Sequence, residues 1–332
     1  ARGVYNAAFG RCEKRDSAEI YGLYDYSRVA GTLPREEMIF NSRYAGKDGY
    51  ERLKGYYYKT SATTPKGLVV ICHGIHAGAD DYLPMTIYFA GAGFNVFSFD
   101  YKGTYGSTGD STVGMSESLV DLDNALDFIK GDSRFSGQPV FLVGHSWGGF
   151  AVAAALNLHP EVKAAASIAG FDNAYTLIEE KGLQYAGEIA TEGLPRYFLR
   201  TYQKELFGDY VNYTASGGIN AAGVPVVVAH GRRDKTISFA YQSVISKRDN
   251  ITNPNVVYYI GEGKNDGHNE IWHAPEAVDY KRRIDEEIKK AAKNADESLK
   301  IKLLAEVDHE LYSRVNGELF ELIADTFISA LD

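Results

Sequence analysis

Six stretches of this 332-residue chain, 67–72, 94–99, 139–143, 162–169, 224–229 and 256–260, are apolar at nearly every position and rich in β-branched residues. A strand with one wet face alternates polar and apolar side chains. An uninterrupted apolar run needs cover on both faces, which a parallel sheet flanked by helices provides. Between the runs lie segments of helical spacing, such as Ser116–Lys130, where Leu119, Leu122, Leu126 and Ile129 recur at three- and four-residue intervals. Strand and helix in alternation predict an α/β protein on a mostly parallel, doubly wound sheet. Ahead of these runs, Arg35–Asn41 and Glu51–Lys59 read as two further strands, with Gly46, Asp48 and Gly49 supplying the turn.

Residues 171–222 break the alternation. They carry helical spacing and scattered glycines but no strand-like run, and a structureless loop of that length does not suit a compact domain. The expected organisation is therefore an N-terminal extension over 1–34, a core formed by 35–170 and 223–332, and a small helical cap inserted at 171–222. After Trp272 the chain becomes strongly charged, and Asp285/Lys289 and Glu286/Lys290 stand at the i,i+4 spacing of a solvated helix.

Charge and cysteine content narrow the function. With 35 Lys and Arg against 44 Asp and Glu the net charge is −9, which argues against a protein that holds nucleic acid phosphates. Cys12 and Cys72 are the two cysteines; two thiols make neither a disulfide framework nor a multi-thiolate metal site. No apolar run approaches the roughly 18 residues of a membrane helix. The compartment stays open between the cytoplasm and, if a leader or anchor precedes Ala1, the cell envelope. The oligomeric state stays open as well.

The chemistry concentrates at Gly144-His145-Ser146-Trp147-Gly148-Gly149, which follows the strand-like Val140–Val143 and precedes the alanine-rich helical segment Phe150–Leu158. This is G-x-S-x-G in strand-to-helix context, where a tight turn lifts the serine to the end of a sheet. A serine hydroxyl needs a base, and the base a carboxylate behind it. In this architecture the chain order is Ser, acid, His, each after a successive strand. Asp234, in the loop after 224–229, and His268, in the loop after 256–260, satisfy both order and position. Asp172 is the alternative acid, while His273 and His309 lie in helical surroundings. The oxyanion donors expected are the backbone N–H of Trp147 and, from the turn His73–Gly78, that of Ile75. His73 reads as structural, and the reaction needs no metal or cofactor.

With these residues the chain resembles an α/β-hydrolase, and within that superfamily the monoglyceride-lipase and serine-aminopeptidase-like branch. His73-Gly74-Ile75 is similar to that branch's oxyanion turn, Asp100-Tyr-Lys-Gly-Thr-Tyr-Gly-Ser-Thr-Gly109 to its D-x-R-G-x-G-x-S-x-G loop with Lys102 in place of arginine, and Gly144–Gly149 to its G-H-S-x-G-G elbow. The resemblance implies an eight-stranded sheet with its second strand antiparallel. It also implies a serine hydrolase acting on small-molecule carboxylic esters, with a peptidase using the same triad as the alternative. A non-catalytic binding protein on the same fold is the remote third reading.

Tyrosine supplies 24 residues, nine of them in 1–60 and six in 171–222. The first group is expected to pin the N-terminal segment to the body. From the second group and its neighbours, Phe171, Tyr175, Tyr185 and Tyr197 are candidates for a substrate wall, joined by His76 from the oxyanion turn. Cap carboxylates Glu179, Glu180, Glu188 and Glu192 could grip a substrate amine in the peptidase reading.

Overall fold

The computed structural model describes residues 8–14, 24–43, 50–186, 194–294 and 296–331. Their strands form one sheet: β1 (Arg35–Arg43), β2 (Tyr50–Tyr58), β3 (Leu68–Cys72), β4 (Asn95–Phe99), β5 (Val140–His145), β6 (Ala164–Ile168), β7 (Val226–Gly231) and β8 (Val256–Gly261). The spatial order is β1-β2-β4-β3-β5-β6-β7-β8. β2 runs antiparallel to both neighbours and the pairs from β4 to β8 are parallel, as expected.

The period of two explains why the middle strands are apolar throughout. In β3, Leu68, Val70 and Cys72 enter one core, while Val69 and Ile71 enter the other. Helices α1 (Leu83–Gly91), α2 (Glu117–Gly131) and α3 (Trp147–Ala155) follow β3, β4 and β5. Residues 171–222 carry α4 (Ala174–Ala186), α5 (Leu194–Phe207) and α6 (Ala215–Ala222), with no strand among the described residues. After β8 come α7 (Pro275–Lys293), α8 (Glu297–Glu306), α9 (His309–Ser313) and α10 (Gly317–Ser329). α2 and α3 bury Leu119, Leu122, Phe150 and Val152 on one face of the sheet. α1 and α10 bury Met85, Phe89, Leu319, Ile323 and Phe327 on the other. The Phe327 ring stacks on Phe141 of β5 at 4.8 Å.

Among the described tyrosines of residues 1–60, Tyr26, Tyr56 and Tyr58 gather around one arginine. Arg35 lies between the rings of Tyr26 and Tyr56, 3.8 and 4.0 Å from their centroids, and donates to Tyr58 Oη and Asp80 Oδ1. The charged stretch beyond Trp272 departs from the expectation of a merely solvated helix: α7 buries Ala277, Val278, Ile284, Ile288 and Ala291 along one face, and Lys281 and Asp285 line a cavity.

Candidate active site

The serine stands on a turn that side chains would block. Cβ atoms built on Gly144 and Gly148 would lie 2.1 Å from the carbonyl oxygens of Gly148 and Cys72, so strand, turn and helix approach to backbone contact. Ser146 itself has φ 57° and ψ −113°, a left-handed conformation that costs a non-glycine residue about 1–3 kcal/mol. Its N–H donates to Ile168 O at 2.8 Å, and its carbonyl accepts from Phe150 N at 3.1 Å. These bonds tie the turn to β6 and the first turn of α3.

His268 reaches the serine from the loop after β8. Its Nε2 lies 2.8 Å from Ser146 Oγ and its Nδ1 2.6 Å from Asp234 Oδ2. A carboxylate only accepts, so Nδ1 carries the proton and Nε2 offers its lone pair to the serine O–H. Asp234, buried after β7, accepts through Oδ1 from the N–H groups of Thr236 and Ile237. Its Oδ2 also faces His230 Nε2 at 3.1 Å. Burial alone would raise the Asp234 pKa, but hydrogen bonds from His230 and His268 hold it well below the usual carboxylate range.

A second chain of bonds runs behind this one. Gly74 N–H donates to Tyr82 Oη at 2.9 Å, and Tyr82 Oη lies 2.8 Å from His145 Nδ1. His145 Nε2 is 3.0 Å from the carbonyl oxygen of His268. That carbonyl can only accept, so His145 is protonated on Nε2 and takes the Tyr82 proton on Nδ1. Burial and the nearby His268 push the His145 pKa down to about 3, which keeps the ring neutral. The turn after β3 is thereby joined to the elbow and to the His268 loop. A Cβ on Gly74 would stand 3.6 Å from Ser146 Cβ.

A cavity of about 540 Å³ includes Ser146, His268, Ile75 and His76 in its lining, together with Tyr82, Trp272, Tyr24 from ahead of β1, and Lys281, Asp285 and Tyr312 from the helices after β8. Among the described residues no cluster of three or more His, Cys, Asp or Glu could hold a metal ion, and no helix is long and apolar enough to cross a membrane.

A family profile described as serine aminopeptidase, S33, matches residues 63–197. YfhR of Salmonella typhimurium, an uncharacterized protein, is 25% identical over 221 residues, 64% of this chain and 70% of its own length. Human ABHD12B is 27% identical over 191 residues, 56% of this chain and 50% of its own. The solved esterase Pf2001 of Pyrococcus furiosus superposes with a TM-score of 0.55 over 76% of this chain and 90% of its own, at 16% identity. The chain has the α/β-hydrolase fold.

The family match supports a hydrolase. The alternative acid, Asp172, is engaged elsewhere: its Oδ1 accepts from Ser216 N and its carbonyl from Ala215 N, at the start of α6. His73 donates from Nδ1 to Gly74 O and accepts Tyr101 N–H on Nε2, a structural role. Of the substrate-wall candidates, His76 lines the cavity and those with described side chains in 171–222 do not. Phe171 is buried and stacked on Phe150 at 4.6 Å, because the chain leaving β6 through Ala169 and Gly170 turns its ring into the core. Tyr175 lies against Arg200, and Tyr197 is 67% exposed on α5; neither lines the cavity. Glu188 and Glu192 lie outside the described residues, as does the side chain of Tyr185.

Sequence reasoning missed four parts of the site. His230, placed four residues before Asp234, had only its position at the end of β7 as a signal. Tyr82 and His145 act across 63 residues, a pairing that no local pattern carries. Tyr24, Lys281, Asp285 and Tyr312 in the cavity lining were missed because the charges of α7 read as solvent-facing and the two tyrosines lie far along the chain from Ser146.

Proposed function

We propose that this chain is a serine hydrolase that cleaves carboxylic esters of small or medium acyl groups through an acyl-enzyme. What carries the reading is the His268 imidazole, bonded on one edge to the Ser146 hydroxyl and on the other to the Asp234 carboxylate. As Ser146 Oγ bonds to the ester carbonyl carbon, its proton passes to His268 Nε2 and the π electrons move onto the carbonyl oxygen. The N–H groups of Ile75 and Trp147 receive that oxyanion, and one such donor is worth about 2.7–4 kcal/mol. Collapse of the intermediate breaks the bond to the alcohol oxygen, and the alcohol leaves with the proton from His268. Water then gives a proton to His268 while its oxygen bonds to the acyl carbon. Ser146 departs with the proton returned, and the acid is released. Asp234, kept ionised by its hydrogen bonds, stabilises the imidazolium in both halves.

The test is turnover of short p-nitrophenyl esters and labelling by a fluorophosphonate. Ser146→Ala is expected to lose both, and undiminished labelling of that variant would refute the assignment. Peptide hydrolysis by the same three residues is the second reading, favoured by the description of the matching family, serine aminopeptidase. Comparing aminoacyl amides with acyl esters of equal size separates the two.

A further inference from the structure

We infer that the substrate of this site is a compact aromatic ester, its ring held by a wall that the N-terminal segment and the helices after β8 supply; the inference rests on the ester-hydrolase reading. Two observations carry it. The first is the composition of the cavity around Ser146. Tyr24, Tyr82, Trp272 and Tyr312 all line it. The rings are arrayed edge to face and face to face: Tyr82 stacks on Trp272 at 5.9 Å and 19°, and Tyr24 meets Tyr312 at 6.1 Å and 82°. Among them stand Lys281, Asp285, Asp81 and Thr236. A long alkyl chain filling this space would lie against charged side chains and displace the water around them, at a cost for each. A ring with a hydrogen-bonding substituent meets aromatic faces and polar groups together, and about 540 Å³ accommodates a small ligand of that kind.

The second observation is that the wall is built rather than incidental. His273 Nδ1 donates to Asn269 O at 3.1 Å, which leaves Nε2 as acceptor for the Tyr24 hydroxyl at 2.9 Å. Lys281 Nζ donates to the same hydroxyl at 2.9 Å and lies 4.8 and 4.2 Å from the ring centroids of Tyr24 and Tyr312. Tyr312 Oη in turn donates to Asp285 Oδ1 at 2.9 Å. Each tyrosine is thus fixed by both ring and hydroxyl, so a substrate ring finds a preformed surface instead of ordering one. From Ser146 the contacts pass through His268, His145, Tyr82 and Trp272 before they reach His273 and Tyr24. The wall therefore meets the part of the substrate remote from the scissile bond, where specificity is set without touching the reacting atoms.

Two methyl esters with the same leaving group, methyl 3-(4-hydroxyphenyl)propanoate and methyl hexanoate, isolate the contribution of the ring. The full chain is expected to favour the aryl ester about tenfold in kcat/KM. Tyr312→Leu and Lys281→Met, checked for folding by circular dichroism and thermal unfolding, are each expected to reduce that preference about three- to tenfold, through KM, in line with the strength of aromatic and cation–π contacts. Equal turnover of the two esters by the wild type, or a preference unchanged in both variants, overturns the inference. So does failure to cleave either ester while Ser146 still reacts with a fluorophosphonate, a result that leaves the nucleophile standing. Loss of the fluorophosphonate reaction in the wild type instead removes the ester-hydrolase reading beneath it.

Discussion

Replacing Tyr82 with phenylalanine removes one oxygen from the molecule and leaves its ring stacked on Trp272. That oxygen accepts Gly74 N–H and donates to His145 Nδ1, and Tyr82, Gly74 and His145 are all buried. Each buried polar group left without a partner costs about 1–3 kcal/mol. Two such groups set the expected loss at about 2–6 kcal/mol, with the lower end reached if a water enters the vacated place. Urea unfolding of Tyr82→Phe against wild type measures it directly. The kinetic consequence is separate. Gly74 precedes the proposed oxyanion donor Ile75, and His145 holds the carbonyl of the proposed base. Loss of the hydroxyl therefore loosens donor and base together while leaving the substrate wall in place. At a temperature where circular dichroism shows the variant folded, kcat for a short ester is expected to fall about ten- to a hundredfold, as misplacement of catalytic groups by about an ångström does, with KM within about twofold. Stability and kcat both at wild-type levels would refute the reasoning. A rise in KM with kcat unchanged would assign Tyr82 to substrate binding instead.

Other outcomes follow from the same geometry. Asp234→Asn is expected to lower kcat by about a thousand- to ten-thousandfold, since an amide favours the wrong imidazole tautomer. Asp172→Asn, whose side chain serves the start of α6, should leave ester turnover within about threefold; the reverse pattern in the same assay would make Asp172 the acid. His145 is driven from 6.5 to about 3 by burial and by His268. The unfolded chain therefore binds a proton between those values that the folded chain refuses, and stability from neutral His145 is whole above about 6.5 and falls as pH drops. At about 1.4 kcal/mol per unit, the stability advantage of wild type over His145→Gln should shrink by roughly 2 kcal/mol between pH 7.5 and 5, read from urea midpoints. Phe327→Ala should destabilise by about 3–5 kcal/mol in urea unfolding, because the ring is fully buried against Phe89, Phe94 and Phe141.

How much of this was legible depended on how local each constraint was. The strands announced themselves because both faces of β3 to β7 are covered, so no position can be polar without a partner. The elbow was legible because its glycines are required by backbone approach at the level of single residues. Asp234 and His268 followed from chain order and strand ends, and the structure brings both into hydrogen-bond contact with each other. Phe171 was misread because composition locates a ring but not its direction; three residues beyond β6, it stacks on Phe150. Asp285 was read as solvated, and Lys281 was given no role, for the opposite reason. Their spacing identifies a helix, but nothing in a helix's own period says that one turn of its polar face looks into a cavity. Tyr24 stands 249 residues from His273, a separation that only the folded chain closes.

The position of α10 has a bearing on when the molecule becomes reactive. Phe327 packs beneath Phe141 in the strand that delivers Ser146, and Asn316 and Arg314 fasten the loop after His268 through Ile271 O, Trp272 O and Ala274 N. During synthesis Ser146 leaves the ribosome long before either its partner imidazole or the helix that seals the core under it. On the proposed function, a growing chain therefore carries Ser146 before the imidazole that would activate it, and reactivity would wait on the docking of α10 beneath β5 rather than on the appearance of the serine.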